Sequence, residues 1–171
     1  MPRDPLSNPE PLVRRVYAYV AARLGDGPDA EDVTSEVFER AVRYRSGYDP
    51  ERGEPIDWLI GIARRCVASF SRPPLDRDGK LDPPAPGDLA DEAVRRLAFY
   101  EALASLSDRD RELIGLYYGA GLKARQIAEL LDSTTNAVQV ALHRAVGRMR
   151  AFVDQKPEDQ SPTLDPAARH V

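Results

Sequence analysis

The fold is decided by the stretch ARQIAELLDSTTNAVQVALHRAVGRMR at residues 124–150, which predicts a short helix, a tight turn at 132–134 and a longer helix over about 135–152. Four apolar side chains fall on one stripe of the longer helix when residues are placed about 100° apart: Val138, Leu142, Ala145 and Met149. We expect this stripe to pack against Ile127, Ala128 and Leu131 of the shorter helix. Two helices joined in this way form a helix-turn-helix arrangement.

The opposite face of the longer helix has the chemistry of a major-groove reader. Amide side chains such as Gln139 can make paired hydrogen bonds to adenine, and Val140 can contact a thymine methyl group. Basic side chains at the edges can hold phosphates, and no acidic residue occurs between Asp132 and Asp154. The candidate DNA contacts of this segment are Lys123, Arg125, Thr134, Thr135, Asn136, Gln139, Val140, His143, Arg144 and Arg148. The alternative is an ordinary solvated helix face.

Three further helices are predicted toward the N-terminus. The first carries an apolar residue at every fourth position from Leu12 and ends at Gly25, and the second follows Pro28 with Asp29 as its expected N-cap. The third begins near Ile56 and ends before Pro73, with a core stripe of Ile56, Leu59, Ile60, Ala63 and Val67. Because no stretch alternates convincingly between apolar and polar residues, the expected fold is all-α.

The stretch RPPLDRDGKLDPPAPG at residues 72–87 is proline-rich and charged, with almost nothing to bury. It predicts two small helical domains, at residues 1–72 and 93–153, joined by a flexible linker at 73–92. Residues 154–171 are interpreted as a disordered tail. Domains of this size bury only roughly 60% of their unfolded surface, so dependence on a large partner is expected.

The far side of the third helix aligns an aromatic residue with basic ones. Trp58 shares this side with Arg65, Ser69 and Arg72, which suits stacking on exposed bases with phosphate neutralisation. Equally, Trp58 can belong to the core. Cys66, at the edge of the apolar stripe, is interpreted as a packed thiol.

Composition restricts the remaining possibilities. The net charge of −4 argues against a protein that coats nucleic acid indiscriminately, so DNA affinity must come from local basic faces. No apolar run approaches the roughly 20 residues of a membrane span, and a single cysteine permits no internal disulfide, which together favour the cytoplasm. No metal-ligand cluster or phosphate-binding glycine loop is visible, so neither an enzyme nor a cofactor is expected.

Three segments together resemble the extracytoplasmic-function (ECF) group of sigma-70 family sigma factors. They are DAEDVTSEVFERA at 29–41, YDPERGEPIDWLIGIARRCVASFSR at 48–72, and the segment from Leu106 to Arg150 that contains the helix pair. The resemblance implies sigma region 2 followed by sigma region 4, with core RNA polymerase and promoter DNA as partners and an anti-sigma factor as a further one. In the recognition helix, Gln139 and Ala141 replace the basic residues common in the family.

The resemblance also implies roles for particular residues. The helix from Asp29 would dock on polymerase, in keeping with an acidic side that repels DNA, and the loop at 46–55 would hold a base flipped from the minus-ten element. The implied polymerase contacts are Asp29, Glu31, Asp32, Ser35, Glu36, Glu39 and Arg40. The implied minus-ten contacts are Tyr48, Arg52, Trp58, Arg64, Arg65, Ser69 and Arg72.

Three functions compete at this point. The first is a promoter-specificity subunit of bacterial RNA polymerase. The second is a helix-turn-helix transcriptional regulator, which would have no need of the segments at 29–41 and 48–72. The third is a sigma-like decoy or interaction protein that does not support initiation, and initiation from added core polymerase would exclude it.

Overall fold

The structure is a computed structural model that describes residues 4–70 and 88–155, without the side chains of 88–90. These residues form seven α-helices and no β-strand, as the sequence predicted. The helices are α1 (Pro9–Leu24), α2 (Pro28–Arg43), α3 (Pro55–Ser69), α4 (Asp88–Ala104), α5 (Asp108–Ile114), α6 (Ala124–Leu130) and α7 (Thr135–Gln155). A π-helical turn, Gly115–Gly119, continues α5 directly.

The first three helices pack on one another through the predicted apolar stripe of α3, which is buried throughout. Val16, Tyr19 and Val20 of α1 close this core from the other side. The N-cap of α2 is Gly27, and Pro28 occupies the first turn, so the expectation of Asp29 as N-cap was wrong. A proline fits the first helical turn because its fixed φ suits the helix and the amide hydrogen that it lacks would have no partner there.

The C-terminal helices confirm the predicted packing of the helix pair. Val138, Leu142 and Ala145 are buried, and α7 lies against α5 and α6. Helix α5 begins at Asp108, because the Ser107 hydroxyl caps it by accepting a hydrogen bond from the backbone N–H of Asp110 at 3.2 Å. Thus α5 and α6 hold the recognition helix on its apolar side and leave the other side to solvent.

The start of α4 and the end of α7 differ from the boundaries that the sequence predicted. Helix α4 begins at Asp88, inside the stretch 73–92 that was expected to be a linker, because Pro86 and Gly87 are the last helix-breaking residues before it. Helix α7 continues to Gln155, beyond the predicted end of its domain. Residues 71–87 and 156–171, which include Arg72 and most of the predicted tail, lie outside the described residues.

The two halves of the chain lie against each other. Helix α1 contacts α5 and the π-helical turn, and one apolar cluster runs from Val16 and Tyr19 into Leu113, Leu116 and Ile127. The sequence had indicated two separate helical bundles, and their contact was not foreseen.

Candidate nucleic-acid and polymerase interfaces

A tight turn between α6 and α7 sets the direction of the recognition helix. Asp132 adopts φ 52°, a left-handed conformation that aspartate tolerates better than most residues. The N–H of Ser133 donates to the carbonyl of Ala128 at 2.8 Å, and the N–H of Ala137 donates to Thr134 Oγ1 at 3.2 Å. Thr134 therefore caps α7, a structural role that does not depend on DNA.

The predicted reading face of α7 is open to solvent. Asn136, Gln139, His143 and Arg144 are exposed, and Val140 is 41% exposed although it is apolar. An exposed valine among amide side chains fits contact with a base methyl group. The exposed Thr135 begins the same helix.

Two of the predicted phosphate contacts already have acidic partners. Arg148 Nη1 lies 2.7 Å from Asp110 Oδ2, and Arg125 Nε lies 3.2 Å from Glu129 Oε1. Lys123 is exposed at the start of α6. Of the cations predicted to contact DNA here, Lys123 and Arg144 are exposed and form no ion pair within the described residues.

The loop before α3 is held in shape by a hydroxyl and a carboxylate. Tyr48 donates its hydroxyl hydrogen to the carbonyl of Gly53 at 3.0 Å, and the N–H of Glu54 donates to Asp57 Oδ2 at 2.9 Å. Gly53 has φ 150°, and a Cβ there would lie 2.9 Å from the Asp57 carboxylate, so the loop requires glycine at this position. The exposed Arg52 projects from the same loop.

Trp58 combines the two roles that the sequence left open. It packs partly against the core, and its ring lies 5.6 Å from that of Tyr48 at 55°, leaving part of the indole accessible. A cleft of about 920 Å³ opens beside this aromatic pair. Its basic lining comes from both halves of the chain: Arg15, Arg52, Arg65, Lys123 and Arg125.

The remaining predicted minus-ten contacts differ in exposure. Arg65 is exposed on the cleft side, and Ser69 is exposed while its hydroxyl donates to the carbonyl of Cys66 at 3.1 Å. Arg64 faces elsewhere: its Nε lies 2.8 Å from Glu112 Oε1, and its Nη1 donates to the carbonyl of Leu130 at 3.4 Å. In this conformation Arg64 joins the two halves of the chain instead of lining an open surface.

The exposed side of α2 is acidic, as the sequence indicated. Glu31, Asp32, Ser35 and Glu39 are exposed, and Asp29 is half-buried in the first turn. Glu36 and Arg40 pair with each other one helical turn apart. This surface lies on the side of α2 away from its contacts with α1 and α3, so it is available to a partner.

The described residues do not indicate a reactive thiol, a metal site or a membrane-spanning helix. Burial raises the pKa of the Cys66 thiol, which therefore stays protonated and packed, as predicted. Within residues 4–70 and 88–155, no group of three or more histidine, cysteine, aspartate or glutamate side chains could hold a metal ion. No helix in the same ranges is both long and apolar enough to cross a membrane.

Sequence reasoning missed the residues that join the halves. Arg15, Asp57, Glu112 and Gln126 all take part in polar contacts between them. Gly119 also lies at this contact, where a Cβ would be 2.9 Å from the backbone of Ala18. Its spacing of four from Gly115 places both glycines on one side of the turn, which was the available signal for a close helix approach.

Comparison with known protein families matches both halves of the chain in order. The Sigma-70 region 2 family matches residues 10–72, and the Sigma-70 region 4 family matches residues 96–149. Together these matches include α2, α3, α5 and α6 in full, nearly all of α1, and part of α4 and α7.

Individual relatives match across most of the chain. The ECF RNA polymerase sigma factor SigK of Mycobacterium sp. (strain KMS) is 31% identical over 136 residues, covering 73% of this chain and 70% of the relative. The ECF RNA polymerase sigma factor ShbA of Streptomyces griseus is 31% identical over 170 residues, covering 89% of this chain and 87% of the relative.

A solved structure shares the fold. The sigma factor RpoE of Bartonella quintana, crystallised with the anti-sigma factor NepR, superposes with a TM-score of 0.61 at 17% identity, covering 86% of this chain and 94% of that one. The fold, the ordered family matches and the identity to curated relatives agree. This chain belongs to the ECF group of sigma-70 family RNA polymerase sigma factors, which are promoter-specificity subunits of RNA polymerase.

Proposed function

We propose that this chain directs RNA polymerase to a discrete class of promoters through three separate surfaces. The outer face of α7 reads the minus-thirty-five element, the loop before α3 together with α3 engages the minus-ten element, and the acidic side of α2 docks on core polymerase. The chain acts as a regulatory subunit in the cytoplasm, where it meets polymerase, and not as a catalyst.

The observation that carries this proposal is the chemistry of the outer face of α7. Asn136, Gln139 and Val140 are exposed on a helix whose opposite side is locked by buried Val138 and Leu142. A helix that presents amide and methyl groups, with no acidic residue before Asp154, suits the donor and acceptor pattern of the major groove. Few of its cations are available for phosphates, so the helix binds DNA weakly by itself and depends on polymerase for affinity.

The minus-ten surface supplies a different kind of contact. The accessible part of Trp58, supported by Tyr48, provides a stacking platform, and Arg52 and Arg65 are exposed near it. Stacking on an aromatic ring is worth about 1–3 kcal/mol per base and tolerates many sequences, which suits strand separation. Ser69 and Arg64 lie on the same helix and add to this surface, although Arg64 must first break its ion pair with Glu112.

An anti-sigma factor is a further proposed partner. The RpoE structure contains such an inhibitor, and a second sigma-type fold, CnrH in complex with the cytosolic domain of CnrY, superposes with a TM-score of 0.60 at 20% identity. Both α2 and α7 present surfaces that an inhibitor could cover.

Run-off transcription on genomic fragments with added core polymerase tests the proposal. We expect discrete start sites that are absent when the chain is omitted. Replacing the exposed Asp32 by arginine should weaken polymerase binding, whereas Glu10→Arg, an exposed change on α1, should not. Binding to polymerase without initiation at any site would instead support the decoy function, and no binding to polymerase would support the independent regulator.

A further inference from the structure

The cleft beside Trp58 has the size and the lining of a small-molecule site. Its volume of about 920 Å³ lies at the upper end of the range of about 300–1,000 Å³ that ligand pockets occupy. Its walls come from four separate segments, which are α1, the loop before α3, α3 itself and the start of α6. Charged and aromatic side chains from these segments therefore line one common space.

Four cations of this cleft are available to an anion. Arg52, Arg65 and Lys123 are exposed and form no ion pair within the described residues. Arg15 is oriented by the other half of the chain, because its Nε donates to the carbonyl of Ala120 at 2.6 Å. A carbonyl oxygen does not cancel the charge of a guanidinium, so Arg15 adds to the positive potential of the cleft.

The acidic side chains of the cleft do not cancel these four cations. They are Asp49, Glu54, Asp57 and Glu129. Both carboxylate oxygens of Asp57 accept hydrogen bonds at 2.9 Å, one from the N–H of Glu54 and the other from the Gln126 amide. Glu129 pairs with Arg125 at 3.2 Å, which removes both from the balance. Although the whole chain carries a net charge of −4, this cleft therefore favours an anion.

An aromatic pair lines the same cleft. Trp58 is partly accessible, and its ring lies 5.6 Å from that of Tyr48 at 55°. Tyr48 is held in place because its hydroxyl donates to the carbonyl of Gly53 at 3.0 Å. The pair therefore does not have to be ordered when a ligand arrives, which lowers the entropic cost of binding. A flat base can stack on such a ring, and this stacking tolerates any base.

We propose that this cleft binds a free nucleotide that carries two or more phosphates. The base stacks on Trp58, and the phosphates are held by Arg65 from the first half of the chain and by Lys123 from the second. More than one phosphate suits the cleft, because its cations stand on separate segments and each phosphate oxygen accepts strong, charge-assisted hydrogen bonds. Binding is a property of the free chain and does not depend on promoter recognition.

Titration of the free full-length chain with ADP and with GDP tests the inference. Trp58 is the only tryptophan, so its fluorescence reports a ligand in the cleft, and calorimetry gives the stoichiometry. We expect saturable binding of one nucleotide per chain. Pyrophosphate and adenosine should each bind at least about tenfold more weakly, because the first lacks the stacking contact and the second lacks the phosphate contacts.

Two variants, one from each half of the chain, test the phosphate contacts. Arg65→Ala and Lys123→Ala should each weaken ADP binding about tenfold. Both side chains are exposed, so the variants should keep the fold, and circular dichroism verifies this. Arg14→Ala is the matched control and should bind ADP as wild type does, because Arg14 lies outside the cleft and pairs with Glu10 on its own helix at 3.5 Å.

Three results would overturn the inference. The first is the absence of saturable binding of either nucleotide at millimolar concentration. The second is pyrophosphate binding as tight as that of ADP, which would make the cleft an anion site without a base platform. The third is a loss of affinity in only one of the two cation variants, which would confine the ligand to one half of the chain. If ADP binds as expected and core polymerase nevertheless initiates nowhere with this chain, the proposed function fails and the nucleotide site stands.

Discussion

The two promoter-reading surfaces of this chain are presented in opposite ways. The outer face of α7 points to solvent, with Asn136, Gln139 and His143 exposed. The minus-ten surface lies in a cleft against the second half of the chain, where Asp57 receives a hydrogen bond from Gln126. The first surface is open to solvent, whereas the second shares its cleft with side chains from the other half of the chain.

The difference has a physical origin in how each surface is supported. Helix α7 is held in place by its apolar stripe, which packs against α5 and α6, so its outer face makes no contribution to that packing. Helix α3 is buried on one side in the N-terminal core, and its cleft side contributes contacts to the other half. Regulation is therefore easier to build into the minus-ten surface than into the recognition helix.

The largest expected effect tests whether the halves share one core. Leu116→Ala empties a fully buried position in the π-helical turn, and such truncations cost about 2–5 kcal/mol in unfolding free energy. Because Trp58, the only tryptophan, lies in the first half, its fluorescence should report this loss during denaturant unfolding. Val153→Ala, at a position 53% exposed, should change the midpoint little. An unchanged Trp58 transition in Leu116→Ala would show that the halves unfold independently.

The next effect concerns the exposed reading face. Asn136→Ala combined with Gln139→Ala should remove about 1–3 kcal/mol of discrimination for each lost base contact at the minus-thirty-five element. Binding of the polymerase complex to matched and mismatched promoters measures this difference. The packing between the two halves should be unaffected, because both side chains are exposed. Equal losses on matched and mismatched promoters would mean that another face of α7 reads the DNA.

Most of the architecture follows from local patterns in the sequence. The apolar stripes of α3 and α7, the cap at Ser107 and the turn at Asp132 all depend on neighbours within one or two helical turns. The same periodicity predicted the exposed face of α7, because that face lies opposite the apolar stripe. The misplaced N-cap at Asp29 was an error of two residues, because two helix-start signals, Pro28 and Asp29, adjoin each other.

The contact between the halves could not be predicted because it has no periodic signature. Arg15 and Arg14 are adjacent arginines on one helix, yet one bridges to Ala120 and the other pairs with Glu10. Arg64 and Arg65 are also adjacent, yet Arg64 pairs with Glu112 and Arg65 lines the cleft. Which arginine meets a partner depends on tertiary placement, about which the charge pattern carries no information.

A smaller effect separates phosphate contact from base reading. Arg144→Ala should weaken binding to matched and mismatched promoters almost equally, because a phosphate contact carries no sequence information. Measuring the affinity across salt concentrations should show the logarithmic slope reduced by about 0.9, the contribution of one phosphate. Arg150→Ala, also exposed but on the other edge of the helix, is the comparison. A change of sequence preference in Arg144→Ala would instead make this residue a base reader.

The smallest effect is a pH dependence of the unfolding free energy, which arises at the contact between the two halves of the chain. Burial, and then its hydrogen bond to Asp26, raise the pKa of Tyr17 to about 12, and Asp26 in turn pairs with Arg96 of the second half. The unfolded chain loses the tyrosine proton near pH 10, so the folded chain keeps this stabilisation below pH 10 and loses it as the pH rises toward 12. The unfolding free energy of wild type should therefore fall more steeply between pH 10 and 12 than that of Tyr17→Phe, in denaturant titrations at fixed pH. Tyr19, whose pKa is also raised by burial, contributes to both proteins and cancels in the difference. Identical pH profiles for the two proteins would show that folding does not raise the pKa of Tyr17.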